Sequence, residues 1–175
     1  MPRLTRSSWT AVAGVLLAAS LSSPAHAGHD DDGFDPDNRS QAVKGFNLTT
    51  KGQGAMEWGK QQLERSVITT SWGGGDIEVH DYKTTGVDWA GQTRCKDWNA
   101  LFTSCDVLTI QFNTAMYHTD WEWLVMGCHE FGHTGDLGHR SKSNDTDNNS
   151  CMRSTVETAY VKFDSHDLNA IKAGT

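Results

Sequence analysis

The chain has 175 residues, with 15 basic and 22 acidic side chains and a formal net charge of −7. An acidic chain lacks the basic surface that binds nucleic acid or an anionic membrane, so the composition excludes both kinds of partner. No stretch of about 20 apolar residues is present, and the sequence therefore predicts no membrane anchor.

The first 27 residues have the pattern of a secretory signal peptide. Arg3 and Arg6 precede an apolar run over residues 9–21, and residues 25–27, AHA, form a small-residue cleavage site. No cysteine precedes Cys95, so the cleavage point offers no site for lipidation. We predict a secreted, extracellular protein whose remaining 148 residues suffice for one domain with a hydrophobic core.

The segment that follows is rich in aspartate. Its first part, GHDDDGFDPDNRSQ, contains no aliphatic side chain and one proline, which is typical of a solvated segment. We assign residues 28–45 to an acidic flexible leader and residues 46–175 to a catalytic domain. A structural Ca²⁺ ion has no support, because the twelve-residue calcium loop that closes on a glutamate is missing.

Hydrophobic periodicity predicts one helix and then short strands. The helix, residues 54–66, would turn Ala55, Trp58 and Leu63 inward. The strand with the clearest alternation is VLTIQFN, residues 107–113. The other strands predicted from β-forming residues are SVITTSW (66–72), DIEVHDY (76–82) and VDWAGQT (87–93).

A longer helix should begin at Thr119. Thr119 and Glu122 have the spacing of a capping box, and the helix would run through WEWLVMGCHEFGH. A last helix, HDLNAIKAG, would be capped by Asp164 or Ser165 and end at Gly174. The order of helix, strands, long helix and final helix predicts an α+β domain. The expected buried stripe of the long helix is Trp121, Leu124, Val125 and Cys128.

The four cysteines indicate two disulfides, because their number is even and the chain carries a secretory signal. Four cysteines allow three pairings, and the sequence does not choose among them. We favour Cys95 with Cys105, which closes a short loop, and Cys128 with Cys151. A cysteine zinc site is excluded because no CxxC pair is present.

The stretch HEFGHTGDLGH, residues 129–139, predicts a catalytic zinc site. His129 and His133 are four residues apart, so on a helix they lie on one face and reach one ion. Glu130 is rotated about a quarter turn away and is placed to act as general base. His139 would be the third ligand if the chain turns back, which Gly135 and Gly138 would allow.

These residues resemble the metzincin clan of zinc endopeptidases, whose pattern HExxHxxGxxH is followed by a methionine turn (Met-turn). Met152, thirteen residues after His139, stands where that methionine would be. The resemblance covers residues 45–175, and this region is similar to matrixin-like proteases. It implies a small twisted mixed sheet with a long active-site helix, a Met-turn and a C-terminal helix. It also implies one catalytic Zn²⁺ and an extended peptide bound at an edge strand, residues 87–93, beside residues 107–113.

The sequence departs from the clan at three places. Asp136 replaces the glycine that takes a left-handed conformation, although aspartate adopts that conformation more readily than most residues. Gly135 could take the turn instead, and Asp136 could itself be a ligand. Ser154 stands where some members have an oxyanion-stabilising tyrosine, and Tyr160 lies further on. The cysteine that blocks zinc in matrixin-like zymogens is absent.

We therefore expect a secreted, monomeric zinc endopeptidase that hydrolyses peptide bonds by Glu130-assisted attack of a zinc-bound water. His80 and His118 receive no role. The alternatives are a metzincin-like module that binds zinc without hydrolysis and a zinc hydrolase of a non-protein amide. The intact Glu130 argues against the first of these, since a binding module does not need a general base.

Overall fold

A computed structural model describes residues 33–116, 118–140, 149–154 and 160–175. The predicted signal peptide lies outside these residues, as do residues 28–32 of the predicted leader. The mixed α+β class is as predicted, with five strands in one sheet and three helices among the described residues. In chain order these elements are β1 (Ser40–Phe46), α1 (Thr50–Leu63), β2 (Thr69–Trp72), β3 (Ile77–Tyr82), β4 (Gly91–Trp98), β5 (Cys105–Asn113), α2 (Asp120–His133) and α3 (Ser165–Gly174).

The sheet has the strand order β2-β1-β3-β5-β4. All neighbouring strands are parallel except β4, which runs antiparallel to β5 with Gly91 opposite Phe112. β4 therefore lies at an edge beside β5. It includes residues 91–93 of the segment in which we expected an edge strand, and it continues to Trp98.

The hydrophobic core lies between the sheet and the helices. Leu108, Ile110 and Phe112 alternate along β5 and are fully buried, as the sequence predicted. Helix α2 packs against α1 with almost no space between the backbones. A Cβ atom added to Gly127 would lie 2.1 Å from the carbonyl oxygen of Ala55, and one added to Gly59 would lie 2.3 Å from that of Gly127.

The helix caps agree with the sequence, but the buried face of α2 differs from the predicted stripe. Thr119 and Glu122 form a capping box. Trp121 is 52% exposed, whereas Trp123 is buried and its ring meets that of Phe112 edge-on at 5.8 Å. The predicted stripe was wrong at Trp121 and left out Trp123, because α2 is covered by α1 on one side and by the sheet on another. At the start of α3, Asp164 is the cap residue.

Strand β1 lies inside the segment that we assigned to a leader. Residues 40–45 belong to the sheet, between β2 and β3, and Val43 is buried. The described residues before them are also attached, since the backbone N–H of Phe34 donates to the carbonyl of His133 at 2.9 Å. Sequence reasoning missed this strand because SQAVKGF has too few aliphatic residues to show an alternation. Within the described residues, no helix has both the length and the apolar character needed to cross a bilayer.

The contact between α1 and α2 generates a stability prediction. Replacing Gly127 by alanine should lower the free energy of unfolding by about 1–3 kcal/mol or more, because the added methyl group overlaps the backbone of α1. Gly54→Ala is the matched control, since a Cβ atom there meets nothing within 4 Å. It should raise stability by about 0.5–1 kcal/mol through helix propensity. Urea unfolding of both variants measures the difference, and equal effects would contradict the close approach of the two helices.

Candidate metal centre

Three histidines converge at the end of α2. The Nε2 atoms of His129 and His133 are 3.1 Å apart, and Nε2 of His139 lies 3.2 Å from that of His129. The ring centroids are separated by 4.7–5.0 Å. The structure thus brings together all three residues that the sequence nominated as ligands.

The outer nitrogen of each helix histidine is held by a backbone carbonyl. Nδ1 of His129 lies 2.8 Å from the oxygen of Cys151, and Nδ1 of His133 lies 2.7 Å from that of Leu137. A carbonyl oxygen only accepts, so each Nδ1 carries the proton and each Nε2 presents a lone pair to the cluster. Burial favours this neutral form, and it lowers the pKa of His129 to about 4.

This arrangement fits a zinc ion. Lone pairs that point at one another repel unless a cation lies between them. Two nitrogens bound at 2.0–2.1 Å to a tetrahedral zinc would be about 3.3–3.4 Å apart, close to the separations of 3.1 and 3.2 Å between Nε2 of His129 and those of the other two histidines. Three imidazoles leave one position of a tetrahedron open, as in catalytic zinc sites.

The turn that returns His139 to the cluster is made at Asp136. Asp136 has a φ of 65°, in the left-handed region, whereas Gly135 does not have a positive φ. Asp136 therefore takes the conformation expected of the glycine that it replaces, and the metal-binding group contains the three histidines without it. Gly135 is needed for another reason, because a Cβ atom there would crowd Leu63 and Ile171.

Residues before β1 support the same turn. A Cβ atom on Gly33 would lie 2.4 Å from the carbonyl carbon of Asp136, so the two backbones touch. Phe34 follows, bonded to the carbonyl of His133. Sequence reasoning missed this contact, and the only local signal is a Gly-Phe pair inside an acidic stretch.

Arg140 fixes the residue next to the third histidine. Its side chain is 1% exposed, and Nη1 lies 3.2 Å from Asp164 and 3.3 Å from Asp167. Its backbone N–H donates to the carbonyl of Met152 at 2.8 Å. A buried guanidinium needs such partners, so the pairing ties residue 140 to the start of α3. The signal in the sequence is an arginine directly after His139 and two aspartates at the predicted helix start.

The two disulfides join Cys95 to Cys105 and Cys128 to Cys151, which is the pairing that we favoured. The second bond lies at the metal centre, because Cys128 precedes His129 and the carbonyl of Cys151 accepts from the His129 ring. Met152 comes next and is fully buried. A Cβ atom on Gly132 would lie 2.2 Å from its sulfur, so the thioether packs directly on α2.

Glu130 lies beside the histidines and is held from β4. Its Oε2 accepts a hydrogen bond of 2.7 Å from the hydroxyl of Thr93. A Cβ atom on Gly91 would lie 2.5 Å from its Oε1, so only glycine leaves room for the carboxylate. Burial raises the pKa of Glu130 to about 7, and the bond from Thr93 acts in the opposite direction. Sequence reasoning did not identify Gly91 or Thr93, because neither belongs to a recognisable motif.

A cleft runs past the histidines along β4. It consists of cavities of about 460 and 330 Å³ that share Gly91, His129, Glu130 and His139. Arg153 and Ser154 line the larger cavity together with Met126, whereas Tyr160 is not among the residues that line either one. Further lining residues are Trp89 and Asp88 in the larger cavity, and Phe34, Gln92, Thr93 and His133 in the smaller.

The remaining histidines named from the sequence lie elsewhere. His80 stacks on Phe46 with ring centroids 4.8 Å apart, and His118 meets Trp123 edge-on at 5.9 Å. Neither belongs to a potential metal-binding group within the described residues.

Two solved structures share this fold. Archaemetzincin from Methanopyrus kandleri matches with a TM-score of 0.51 and 12% identity, over 79% of this chain and 97% of that one. Myroilysin matches with a TM-score of 0.50 and 12% identity, over 81% and 85% of the two chains. No family model and no curated protein matches the sequence. The fold is therefore metzincin-like, and the matrixin-like assignment stays a prediction.

The histidine cluster generates a metal-binding prediction. The protein should bind one zinc ion per chain, and alanine at His129, His133 or His139 should weaken zinc binding by at least about tenfold, because each removes one ligand. His80→Ala is the matched control and should bind zinc as the unchanged protein does. Titration against a competing chelator measures the affinities. Equal zinc affinity in His139→Ala and His80→Ala would exclude His139 as a ligand.

Burial of Glu130 predicts a pH dependence of stability in chelator-treated protein. Its pKa is 4.5 when unfolded and about 7 when folded, so the folded state favours the protonated carboxyl. The stability relative to Glu130→Gln should be highest below pH 4.5, fall by about 3 kcal/mol up to pH 7 and stay level above it. The contribution of His129 cancels, since both proteins contain it. Urea unfolding from pH 4.5 to 8 measures this, and a flat difference would contradict the buried carboxyl.

Proposed function

We propose that the protein is a secreted zinc endopeptidase that uses Glu130 as its general base and acid. The observation that carries this proposal is the convergence of three imidazole Nε2 atoms beside a buried carboxylate, inside a cleft bounded by an edge strand. His129, His133 and His139 would hold the ion. Met152, packed beneath α2, would be the methionine of the Met-turn.

A bound zinc ion would lower the pKa of a water that it holds towards about 7 and would polarise the carbonyl of the scissile bond. Glu130 accepts the proton of the attacking water at its carboxylate and later donates a proton to the leaving amine. A base is most effective with a pKa near the working pH, and burial places the pKa of Glu130 at about 7. The Thr93 hydroxyl orients the carboxylate by holding Oε2, which leaves Oε1 for the water.

An extended polypeptide suits this cleft better than a small compact substrate. The outer edge of β4 pairs with no other strand among the described residues, so its backbone groups can add a substrate strand. The cavities on either side of Glu130 then receive side chains on both sides of the bond that is cut. No covalent intermediate is required, and no serine or cysteine takes part.

Export agrees with the chemistry of the cysteines. Two disulfides persist in an oxidising compartment, and residues 1–27 have the pattern that directs a chain there. We place the signal peptide at residues 1–27 and the catalytic domain over the rest of the described chain. The leader would end before residue 33, since Gly33 already packs on the turn at Asp136.

Glu130→Gln separates binding from catalysis. The variant should bind zinc normally but cleave labelled casein at least about 100-fold more slowly, because glutamine cannot take up a proton. Glu57→Gln, at an exposed position of α1, is the control and should keep full activity. Chelator should abolish cleavage by the unchanged protein, and added zinc should restore it.

The same assay decides against the proposal if the zinc-loaded protein cuts nothing. Failure across casein and a broad peptide library would favour a zinc-binding module. Hydrolysis of small acylated amines without any cleavage of peptides would favour a hydrolase of non-protein amides.

A further inference from the structure

We propose that the tip of the hairpin between β4 and β5, residues 99–104, is a second binding site for the polypeptide substrate. It would bind an apolar segment of the substrate at a distance from the scissile bond. This inference rests on the proposed function. It adds the requirement that the substrate is long enough to reach residues 99–104 and carries an apolar segment at that distance from the scissile bond. We refer to residues 99–104 as the hairpin tip.

The hairpin tip carries the two most exposed large apolar side chains of the described residues. Leu101 is 79% exposed and Phe102 is 77% exposed, and Trp98, at the end of β4, is 45% exposed. Adjacent apolar side chains that are exposed to solvent mark interaction sites more often than single exposed ones do. Leucine and phenylalanine side by side at one tip are therefore candidates for contact with a partner.

The hairpin tip is held in one conformation. The Cys95–Cys105 disulfide closes its base. The side chain of Asn99 accepts hydrogen bonds from the backbone N–H groups of Leu101 and Thr103 at 3.1 and 3.0 Å. It also donates to the hydroxyls of Thr103 and Ser104. A tip ordered in this way loses little conformational freedom when it binds.

The backbone of Phe102 is strained. Its φ is 55°, a left-handed conformation that is unfavourable for an aromatic residue. Backbone strain of this kind persists only where the surrounding structure imposes it, and it occurs most often at functional sites. The disulfide and Asn99 impose it here.

The hairpin tip is continuous with the cleft. Phe34 lines the smaller cavity together with the three histidines, and its ring meets that of Trp98 edge-on at 6.2 Å. Trp98 directly precedes Asn99. Gly91 lies opposite Phe112 and Trp98 opposite Cys105, with register irregularities between Cys95 and Trp98, so at about 3.4 Å per residue along β5 the two positions are roughly 24 Å apart. A substrate strand on the edge of β4 would reach the hairpin tip about seven residues from the position opposite Gly91.

The surrounding charges favour a polypeptide over an anionic lipid surface. Asp97 and Asp106 are exposed and lie on either side of the base of the hairpin tip, and the neighbouring Lys96 is paired with Glu78 at 3.0 Å. They repel anionic headgroups but allow an apolar polypeptide segment to dock on Leu101 and Phe102. The continuity with the cleft supplies the connection to the substrate that a lipid surface would lack.

The test compares a long and a short substrate in the double variant Leu101→Ser/Phe102→Asn. Asparagine tolerates a positive φ, so the fold of the hairpin tip should be retained. The KM for labelled casein should rise at least about tenfold with kcat unchanged, because two apolar contacts are lost. A hexapeptide cut from casein should be hydrolysed as before, since it cannot reach the tip. Trp121→Gln is the control, because Trp121 is also exposed but lies on α2.

A second measurement does not require catalysis. Labelled casein should bind zinc-loaded Glu130→Gln protein at least about tenfold more weakly when the tip substitutions are added, as measured by fluorescence anisotropy. This binding measurement is informative even if the protein cleaves nothing. A failure of the proposed function can therefore be distinguished from a failure of the inference about the hairpin tip.

Three results would overturn the inference. The first is an unchanged KM and unchanged binding of casein, and the second is an equal loss on casein and hexapeptide. The third is an unaffected binding of casein combined with the loss of another interaction in the tip variant. That interaction would be co-sedimentation of the protein with phosphatidylcholine vesicles, or self-association of the protein measured by analytical ultracentrifugation. That result would assign the tip to a lipid surface or to a second copy of the chain.

Discussion

The metal centre depends on the attachment of residues 150–153 to α2. The Cys128–Cys151 disulfide makes this attachment covalent, and the carbonyl of Cys151 then accepts the proton of His129 Nδ1. Because that carbonyl cannot move away, the ring keeps one tautomer and one orientation. Closing a loop of this length stabilises the fold by about 3.5 kcal/mol in the chain-entropy account. One bond therefore stabilises the domain and also orients a histidine of the candidate site.

The edge strand supplies the second half of the site. Gly91 and Thr93 are two residues apart on β4, so both face α2. Gly91 leaves space for the Glu130 carboxylate, and the Thr93 hydroxyl donates a hydrogen bond to it. The outer edge of the same strand pairs with no other strand among the described residues. Glu130 is carried by α2, and the hydrogen bond from Thr93 fixes its carboxylate relative to the edge strand.

Much of the site was predictable because its chemistry is local. The four-residue spacing of His129 and His133 places both side chains on one face of any helix, and the capping box at Thr119 indicates that helix in the sequence. Asp136 adopts the left-handed conformation that its residue type tolerates. By contrast, Thr93, Arg140 and Phe34 act through partners that are distant in sequence, and no periodicity reveals such pairs. β1 was missed for the same reason, since its place between β2 and β3 is decided by packing and not by its own weak pattern.

The ion pairs of Arg140 couple the placement of His139 to the folding of α3. Asp164 and Asp167 belong to the N-terminal turn of α3, some 25 residues beyond His139. Until α3 has folded, the guanidinium of Arg140 lacks these two carboxylates, and the chain next to the third imidazole is not yet tied to that helix. A chain in which α3 has not folded would therefore hold His129 and His133 on a formed helix while His139 is not yet in place, and the histidine cluster would be completed among the last steps of folding.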